Sequence, residues 1–117
     1  MKTAIVQIFG TRKCQETRKA QRFFKERGVK VQEVDLQEKG LSPGELRSVA
    51  QAAGGVAALL DRQGKRFQER GLAHALLRDA DIEKLLLEDA QLLRTPIVRR
   101  GREATIGAHP EVWQSWS

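Results

Sequence analysis

The chain has 117 residues, which is room for one domain with one hydrophobic core. Hydrophobic residues make up 40% and charged residues 31%, and no apolar run reaches the ~18–20 residues that a membrane span requires. The single cysteine, Cys14, excludes an internal disulfide and a multi-cysteine zinc cluster and favours a reducing, cytoplasmic compartment. With two histidines besides, no metal site is expected.

The formal net charge is +6; the two ends of the chain are net positive and the middle is net negative. A basic surface of this kind can bind nucleic acid, an acidic protein partner or a small anion. The chain has four Phe, two Trp and no Tyr, so it is poor in the aromatic residues that usually accompany nucleic-acid binding. The composition therefore favours an acidic partner or a small anion over nucleic acid.

The first third of the chain predicts a strand, a helix and a second strand. Residues 3–9 are apolar and β-branched, as in a buried strand. A helical pattern runs from 14 to 27 and ends at Gly28, and residues 29–36 then alternate between apolar and polar. Two strands joined by a helix within about 35 residues favour a parallel βαβ unit.

The middle of the chain is predicted to be helical. Ser42 and Glu45 form a capping box around Pro43, which predicts a helix from 43 to about 53. We expect a short helical piece at 56–60, then a polar turn, and a helix at 79–89 with Asp79 as its N-cap.

The last quarter predicts a hairpin and a closing helix. Residues 97–99 and 103–106 form two strands around Gly101, and residues 110–116 form a short helix. Trp113 and Trp116 lie three residues apart, so both are expected to pack that helix onto the sheet. The element order predicts an α/β fold with a four-stranded mixed sheet flanked by helices.

These segments, in this order, resemble the arsenate reductase ArsC/Spx/YffB family, which has a thioredoxin-like fold. The matching segments are CQETRKAQRFFKERGV (14–29), VDL (34–36), LSPGELR (41–47), GLA (71–73), TPIV (95–98) and IGAHPEVW (106–113). The resemblance implies one thioredoxin-like domain over 1–117, with an all-helical insertion at about 41–92 between the βαβ and ββα halves.

Cys14 is the candidate catalytic residue. A thiol in the first turn of a helix faces unpaired backbone N–H groups and the positive end of the helix dipole, which stabilise a thiolate. Arg12, Lys13 and Arg18 add positive charge nearby. The alternative, a buried inert cysteine, fits poorly with so polar a segment.

The single cysteine constrains how a Cys14 adduct is resolved. Thr17 occupies the position at which a Cys-x-x-Cys oxidoreductase carries its second thiol. An external thiol must therefore release the adduct, which predicts a monothiol cycle with glutathione or a glutaredoxin-like partner and no bound cofactor. In thioredoxin folds a cis-proline faces the active cysteine, and Pro96 is the residue that matches it.

The chain departs from the family at its arginines. Thr95 stands directly before Pro96 where arsenate reductases have an arginine, and Arg94 is displaced by one residue. Because side chains alternate along an extended segment, Arg94 is expected to point away from the site. A second arginine position holds Asp61, followed by Arg62, and the third holds His109, a weaker anion ligand. These departures argue against arsenate as the natural substrate.

Two functions remain open. The first is a monothiol reductase with Cys14 as nucleophile and Arg12, Arg18 and Arg94 as electrostatic support. A basic pocket could also be rebuilt from Arg18, Arg62 and Arg94. Its substrate would be a glutathione mixed disulfide, a small oxidised thiol or, with less support, arsenate. The second is a Spx-like adaptor or redox sensor that binds a partner such as RNA polymerase.

Overall fold

Four strands form one mixed sheet in the computed structural model of the chain, which describes residues 5–116. The strands are β1 (Val6–Gly10), β2 (Val31–Asp35), β3 (Ile97–Arg100) and β4 (Glu103–Ile106). The α-helices are α1 (Gln15–Glu26), α2 (Pro43–Ala53), α3 (Lys65–Glu69), α4 (Asp79–Glu88) and α5 (Pro110–Trp113). Short 3₁₀ segments occupy Val56–Leu59, Leu72–His74, Ala90–Leu92 and Gln114–Trp116.

The strand order across the sheet is β2-β1-β3-β4. β1 pairs in parallel with β2 and antiparallel with β3, and β3 pairs antiparallel with β4. The predicted fold class, parallel βαβ unit and hairpin are confirmed. The predicted first strand ends one residue later, at Gly10, and its residues 3 and 4 lie outside the described part of the chain.

Each face of the sheet carries its own hydrophobic core, because neighbouring residues of a strand point to opposite faces. Phe9 and Ile97 belong to the core that the helical insertion covers. Ile8 belongs to the core on the other face, together with Trp113 and Trp116 at the end of the chain. Trp113 is fully buried and Trp116 is 3% exposed, so the predicted packing of both tryptophans is confirmed.

The capping box predicted for α2 is present. The Glu45 backbone N–H donates to Ser42 Oγ at 3.1 Å, and the Ser42 backbone N–H donates to Glu45 Oε1 at 2.9 Å. Gly54 ends the helix with a φ of 91°, in the left-handed region that favours glycine. A local motif thus defines this helix at both ends.

Two predictions in the insertion were wrong. The segment expected to be a polar turn contains α3, whose Phe67 is buried in the core, and a 3₁₀ segment follows it. The N-cap of α4 is Arg78 and not Asp79. The carboxylate of Asp81 accepts the Arg78 backbone N–H at 3.0 Å and so caps the helix from within its first turn.

The segment before α3 and the segment after α4 lie side by side. Leu60 forms an antiparallel bridge with Leu93. The Arg94 backbone N–H donates to the Leu59 carbonyl at 2.8 Å, and the Asp61 N–H donates to the Leu92 carbonyl at 2.9 Å. This pairing fixes the chain immediately before β3.

An ion-pair network stabilises the inside of the insertion. Asp89 Oδ2 accepts from Arg66 Nε at 2.6 Å and from Arg70 Nη1 at 3.3 Å, and the Asp89 side chain is 10% exposed. Burial raises the pKa of Asp89, but these two arginines and the Gln91 backbone N–H outweigh it, so the pKa lies below its ordinary value. No helix within residues 5–116 is long and apolar enough to cross a bilayer.

Candidate active site around Cys14

Cys14 is the N-cap residue of α1. Its backbone is extended, with φ −80° and ψ 117°, and the Arg18 backbone N–H donates to its carbonyl at 3.2 Å as the helix begins. The Cys14 backbone N–H donates to the Thr11 carbonyl at 3.2 Å, which closes the short turn after β1. The position predicted for the cysteine, at the start of a helix that follows a buried strand, is confirmed.

The sulfur lies against the segment that precedes β3. Cys14 Sγ is 3.7 Å from the carbonyl oxygen of Thr95, and the two residues are 81 positions apart in sequence. Phe9 of β1 pairs with Ile97 of β3, so the antiparallel register brings the end of one strand beside the start of the other. The Thr95–Pro96 peptide bond is cis, and Pro96 is buried.

The pKa of the Cys14 thiol lies below its ordinary value. Partial burial of the sulfur raises this pKa, but hydrogen bonds that stabilise the thiolate outweigh the effect of burial. The donors are the side chains of Thr17 and Thr95 and the backbone N–H groups of Thr17 and Glu16. The sulfur is half-buried, so it remains accessible from solvent.

Thr17 lies in the first turn of α1, one turn beyond Cys14. It is 2% exposed, and its Oγ1 is buried without a hydrogen-bond partner among residues 5–116, so a thiolate at Cys14 is the acceptor left to its hydroxyl. Its side chain packs against Gly10 at the end of β1. Sequence reasoning placed Thr17 in the site because of its position relative to Cys14, but it missed the contact with Gly10.

The basic residues around the cysteine are exposed. Arg12 Nε lies 3.9 Å from Asp35 Oδ2, with 86% of the Arg12 side chain exposed. Arg18 Nη1 donates to the Arg12 carbonyl at 3.0 Å and so fastens the loop to α1. Lys13 is also exposed. The groups that lower the pKa of Cys14 are hydrogen-bond donors, and these cations are not among them.

Arg94 points away from Cys14, as the alternation of side chains predicted. Its Nη1 donates to the Ala58 carbonyl at 3.5 Å, on the insertion side of the chain. Thr95, the next residue, directs its carbonyl to the sulfur. A one-residue displacement therefore separates this guanidinium from the reacting atom.

The basic pocket that sequence reasoning considered for three arginines forms only in part. Arg62 and Arg94 line one groove of about 400 Å³, together with the acidic Asp61. Arg18 does not line that groove, because it lies on α1 beside Arg12. The three guanidinium groups therefore do not converge on a single anion.

His109 is the N-cap residue of α5 and has two hydrogen-bonding partners of its own. Its Nε2 lies 2.9 Å from the Ile106 carbonyl and its Nδ1 lies 3.0 Å from Glu111 Oε1. A carbonyl only accepts, so Nε2 carries a proton, and Nδ1 donates to the carboxylate when the ring is an imidazolium. The pKa of Glu111 is lowered by its own backbone N–H and by His109. His109 shares a shallow groove with Arg94 and does not contact Cys14.

A polar cavity of about 260 Å³ adjoins the cysteine loop on the side of β2. It is lined by Ile8, Gly10, Thr11, Arg12, Thr17, Gln21, Glu33, Val34, Asp35 and Glu38. The Gln21 side-chain amide donates to Glu33 at its outer edge. No three His, Cys, Asp or Glu side chains within residues 5–116 form a group that could hold a metal ion.

Comparison with known proteins places this geometry in a family. The sequence pattern of the ArsC family matches residues 9–116. The chain is 26% identical over 98 residues to YusI of Bacillus subtilis, and the match covers 81% of this chain and 83% of YusI. It is 27% identical over 107 residues to the global transcriptional regulator Spx 2 of Oceanobacillus iheyensis, which covers 91% of this chain and 78% of that protein.

The fold is also similar to that of a solved arsenate reductase structure. The arsenate reductase from Vibrio cholerae superposes with a TM-score of 0.84 over 99% of this chain and 100% of its own, at 24% sequence identity. At that identity the likeness concerns the fold.

Proposed function

Because this chain belongs to the ArsC family, we propose that it is a monothiol reductase whose nucleophile is the Cys14 thiolate. The observation that carries the proposal is the position of Cys14: its sulfur begins α1, lies 3.7 Å from the Thr95 carbonyl and has hydrogen-bond donors that lower its pKa. A half-buried thiolate of this kind is suited to attack an oxidised sulfur.

The reaction is a pair of thiol–disulfide exchanges. The Cys14 thiolate attacks the glutathione sulfur of a mixed disulfide R–S–S–G, the S–S bond breaks, and RS⁻ leaves and takes a proton from solvent. Glutathione thiolate then attacks the Cys14–S–S–G adduct, and oxidised glutathione leaves as the Cys14 thiolate is regenerated. The substrate sulfur is thus reduced from the mixed disulfide to the thiol, and two glutathione sulfurs are joined in the oxidised product.

An external second thiol follows from the chain itself. Cys14 is the only cysteine of the sequence, and the position three residues on holds the buried Thr17. A glutaredoxin-like protein can take the place of free glutathione in the second exchange. Glutathione carries a net negative charge at neutral pH, which suits the exposed cations Arg12, Lys13 and Arg18.

Arsenate has weaker support as a substrate. Arg94 donates to the Ala58 carbonyl, and His109 bridges the Ile106 carbonyl and Glu111. Neither group contacts the sulfur, so the planar donors that a tetrahedral oxyanion needs beside Cys14 are missing from this arrangement.

The test is a reductase assay coupled to glutathione and glutaredoxin, with a glutathione mixed disulfide, a small oxidised thiol and arsenate as substrates. We expect turnover with at least one disulfide substrate and loss of that turnover in Cys14→Ser. The Ser48→Ala variant, at a half-buried position of α2, serves as a control that keeps the thiol. Turnover that survives Cys14→Ser would remove the cysteine from the mechanism.

A second candidate function is a Spx-like adaptor or redox sensor. It is favoured by the match to Spx 2, whose name describes a global transcriptional regulator, over 91% of this chain. In that case Cys14 is a sensor or is incidental, and a larger assembly such as RNA polymerase binds the folded chain. Recovery of polymerase in a pull-down, with an ordinary Cys14 pKa and no turnover, would favour the adaptor.

A further inference from the structure

Gly10, the last residue of β1, lies in very close contact with Thr17. A Cβ atom added to Gly10 would lie 2.4 Å from Thr17 Oγ1, 2.5 Å from Cγ2 and 3.0 Å from Cβ. Gly10 is not among the glycines with positive φ, so its backbone conformation is open to any residue. The glycine is required here by the approach of another side chain.

A rotation of Thr17 does not relieve this contact. Both branches of the side chain lie within 2.5 Å of the added atom, and the Thr17 Cβ, at 3.0 Å, does not move when χ1 rotates. Thr17 is 2% exposed, so solvent offers it no room either. A side chain at position 10 would therefore displace the first turn of α1 away from β1.

That first turn holds the candidate nucleophile. Cys14 precedes α1 directly and Thr17 follows three residues on, a spacing that brings two side chains to the same side of a helix. Thr17 Oγ1 is buried without a hydrogen-bond partner among the described residues, and its hydroxyl is among the groups that lower the pKa of Cys14. A displacement of this turn would alter the geometry between Oγ1 and Sγ.

We propose that Gly10 is a positioning residue: the absence of a side chain at the end of β1 lets Thr17 pack against the strand and so sets the position of the first turn of α1, which Cys14 directly precedes. This inference rests on the proposed function, in which the Cys14 thiolate is the nucleophile. Gly10 has no side chain to offer a substrate and acts through its contact with Thr17. The strand end and the helix start thus form one unit that determines how readily the thiol ionises.

The experiment measures the rate of Cys14 alkylation by iodoacetamide as a function of pH, which gives the midpoint of thiol ionisation. The proteins are wild type, Gly10→Ala, Thr17→Ala and the double variant Gly10→Ala/Thr17→Ala. Gly10→Ala and Thr17→Ala are each expected to raise the midpoint by about one pH unit, the loss expected for one hydrogen bond to a charged group. In the Thr17→Ala background, Gly10→Ala is expected to add little, because the hydroxyl that it would misplace is already absent.

The control is Gly44→Ala, because an added Cβ at Gly44 meets nothing within 4 Å. If Thr17→Ala raises the midpoint and Gly10→Ala leaves it unchanged, the inference about Gly10 is overturned while the proposed function stands. A wild-type midpoint equal to that of a free thiol would overturn the inference together with the activation of Cys14 in the proposed function.

Circular dichroism separates these outcomes from unfolding. If Gly10→Ala unfolds while the double variant is folded with the midpoint of Thr17→Ala, the contact with Thr17 is the reason for the glycine and the inference stands. If the double variant also unfolds, Gly10 serves the backbone independently of Thr17 and the inference fails.

Discussion

Cys14 Sγ lies 3.7 Å from the carbonyl oxygen of Thr95, although the two residues are 81 positions apart in the chain. The thiol donates to this carbonyl while it is protonated, whereas the Thr95 hydroxyl is among the groups that stabilise the thiolate. One residue therefore interacts with both protonation states of the sulfur, and its hydroxyl favours the ionised one.

Removal of the Thr95 hydroxyl should make Cys14 less acidic. Thr95→Val keeps the carbonyl and the β-branched shape but removes one donor to the thiolate, so the alkylation midpoint should rise by roughly 0.5–1 pH unit. Stopped-flow alkylation between about pH 5 and pH 10 measures it. Ser48→Ala on α2 removes a hydroxyl away from the sulfur and should leave the midpoint in place. An equal midpoint in Thr95→Val and wild type would contradict the role of the hydroxyl.

Arg94 should have no effect on the ionisation of Cys14. Its guanidinium donates to the Ala58 carbonyl and lines a groove with Arg62. Arg94→Ala should therefore shift the alkylation midpoint by less than about 0.3 pH unit at physiological salt, where separated charges are screened. A rise as large as that of Thr95→Val would mean that this arginine reaches the sulfur in solution.

Asp89 should contribute to stability at neutral pH and less in acid. Its folded-state pKa is lowered, so the stabilisation is present above the unfolded-state pKa of about 4 and is lost as pH falls through the lower, folded-state pKa. Asp89→Asn weakens the bonds from Arg66 and Arg70 and should cost about 1–3 kcal/mol in free energy of unfolding near neutral pH.

Urea unfolding of wild type and Asp89→Asn at about pH 7 and about pH 3 tests the direction of this pH dependence. The difference between the two proteins should shrink at the lower pH, where the wild-type carboxyl is becoming protonated. A difference that stays constant across this range would show that the charge of Asp89 is not the cause. Asp79→Asn, on the first turn of α4, is a control because it removes a carboxylate outside this network.

The buried hydrogen bond between Trp113 and Thr105 should contribute to the stability of the closing helix. Trp113 Nε1 donates to Thr105 Oγ1 at 2.8 Å, with Trp113 fully buried and Thr105 8% exposed. Thr105→Val leaves the indole N–H without an acceptor and should cost about 1–3 kcal/mol.

A double-mutant cycle isolates this bond. In a Trp113→Phe background the donor is absent, so Thr105→Val should cost less than it does in wild type. Trp116→Phe is the matched control, since Trp116 Nε1 has no hydrogen-bond partner within residues 5–116. Equal costs of Thr105→Val in the wild-type and Trp113→Phe backgrounds would contradict the coupling.

Of the local motifs in the helical region, the capping box of α2 was predicted correctly from the sequence. The capping box of Ser42 and Glu45 identifies α2 because every group in it lies within one turn. α3 was missed because it has five residues, and Phe67 alone gives no helical period. The N-cap of α4 was misplaced because arginine is not a usual cap residue, and the side chain that caps there is Asp81.

In the candidate site, too, features set by local sequence were predicted, and features set by tertiary packing were not. The start of α1 at Cys14 and the direction of Arg94 follow from spacing along one segment, and both were predicted. The contact between Gly10 and Thr17 depends on how closely a helix approaches a strand, which no local pattern encodes. The pairing of Arg62 and Arg94 in a groove without Arg18 likewise depends on the packing of the insertion.

The bridge between Leu60 and Leu93 has a consequence for how such a protein diversifies. When the two ends of a segment lie next to each other, the segment does not have to bridge a distance, and lengthening it adds little loop-closure entropy. Length changes in the exposed turns between these two leucines are thus expected to leave the Thr95 carbonyl beside the sulfur, provided that Phe67, Ile82 and Leu86 keep their places in the core. New surface can be added there around an unaltered thiol.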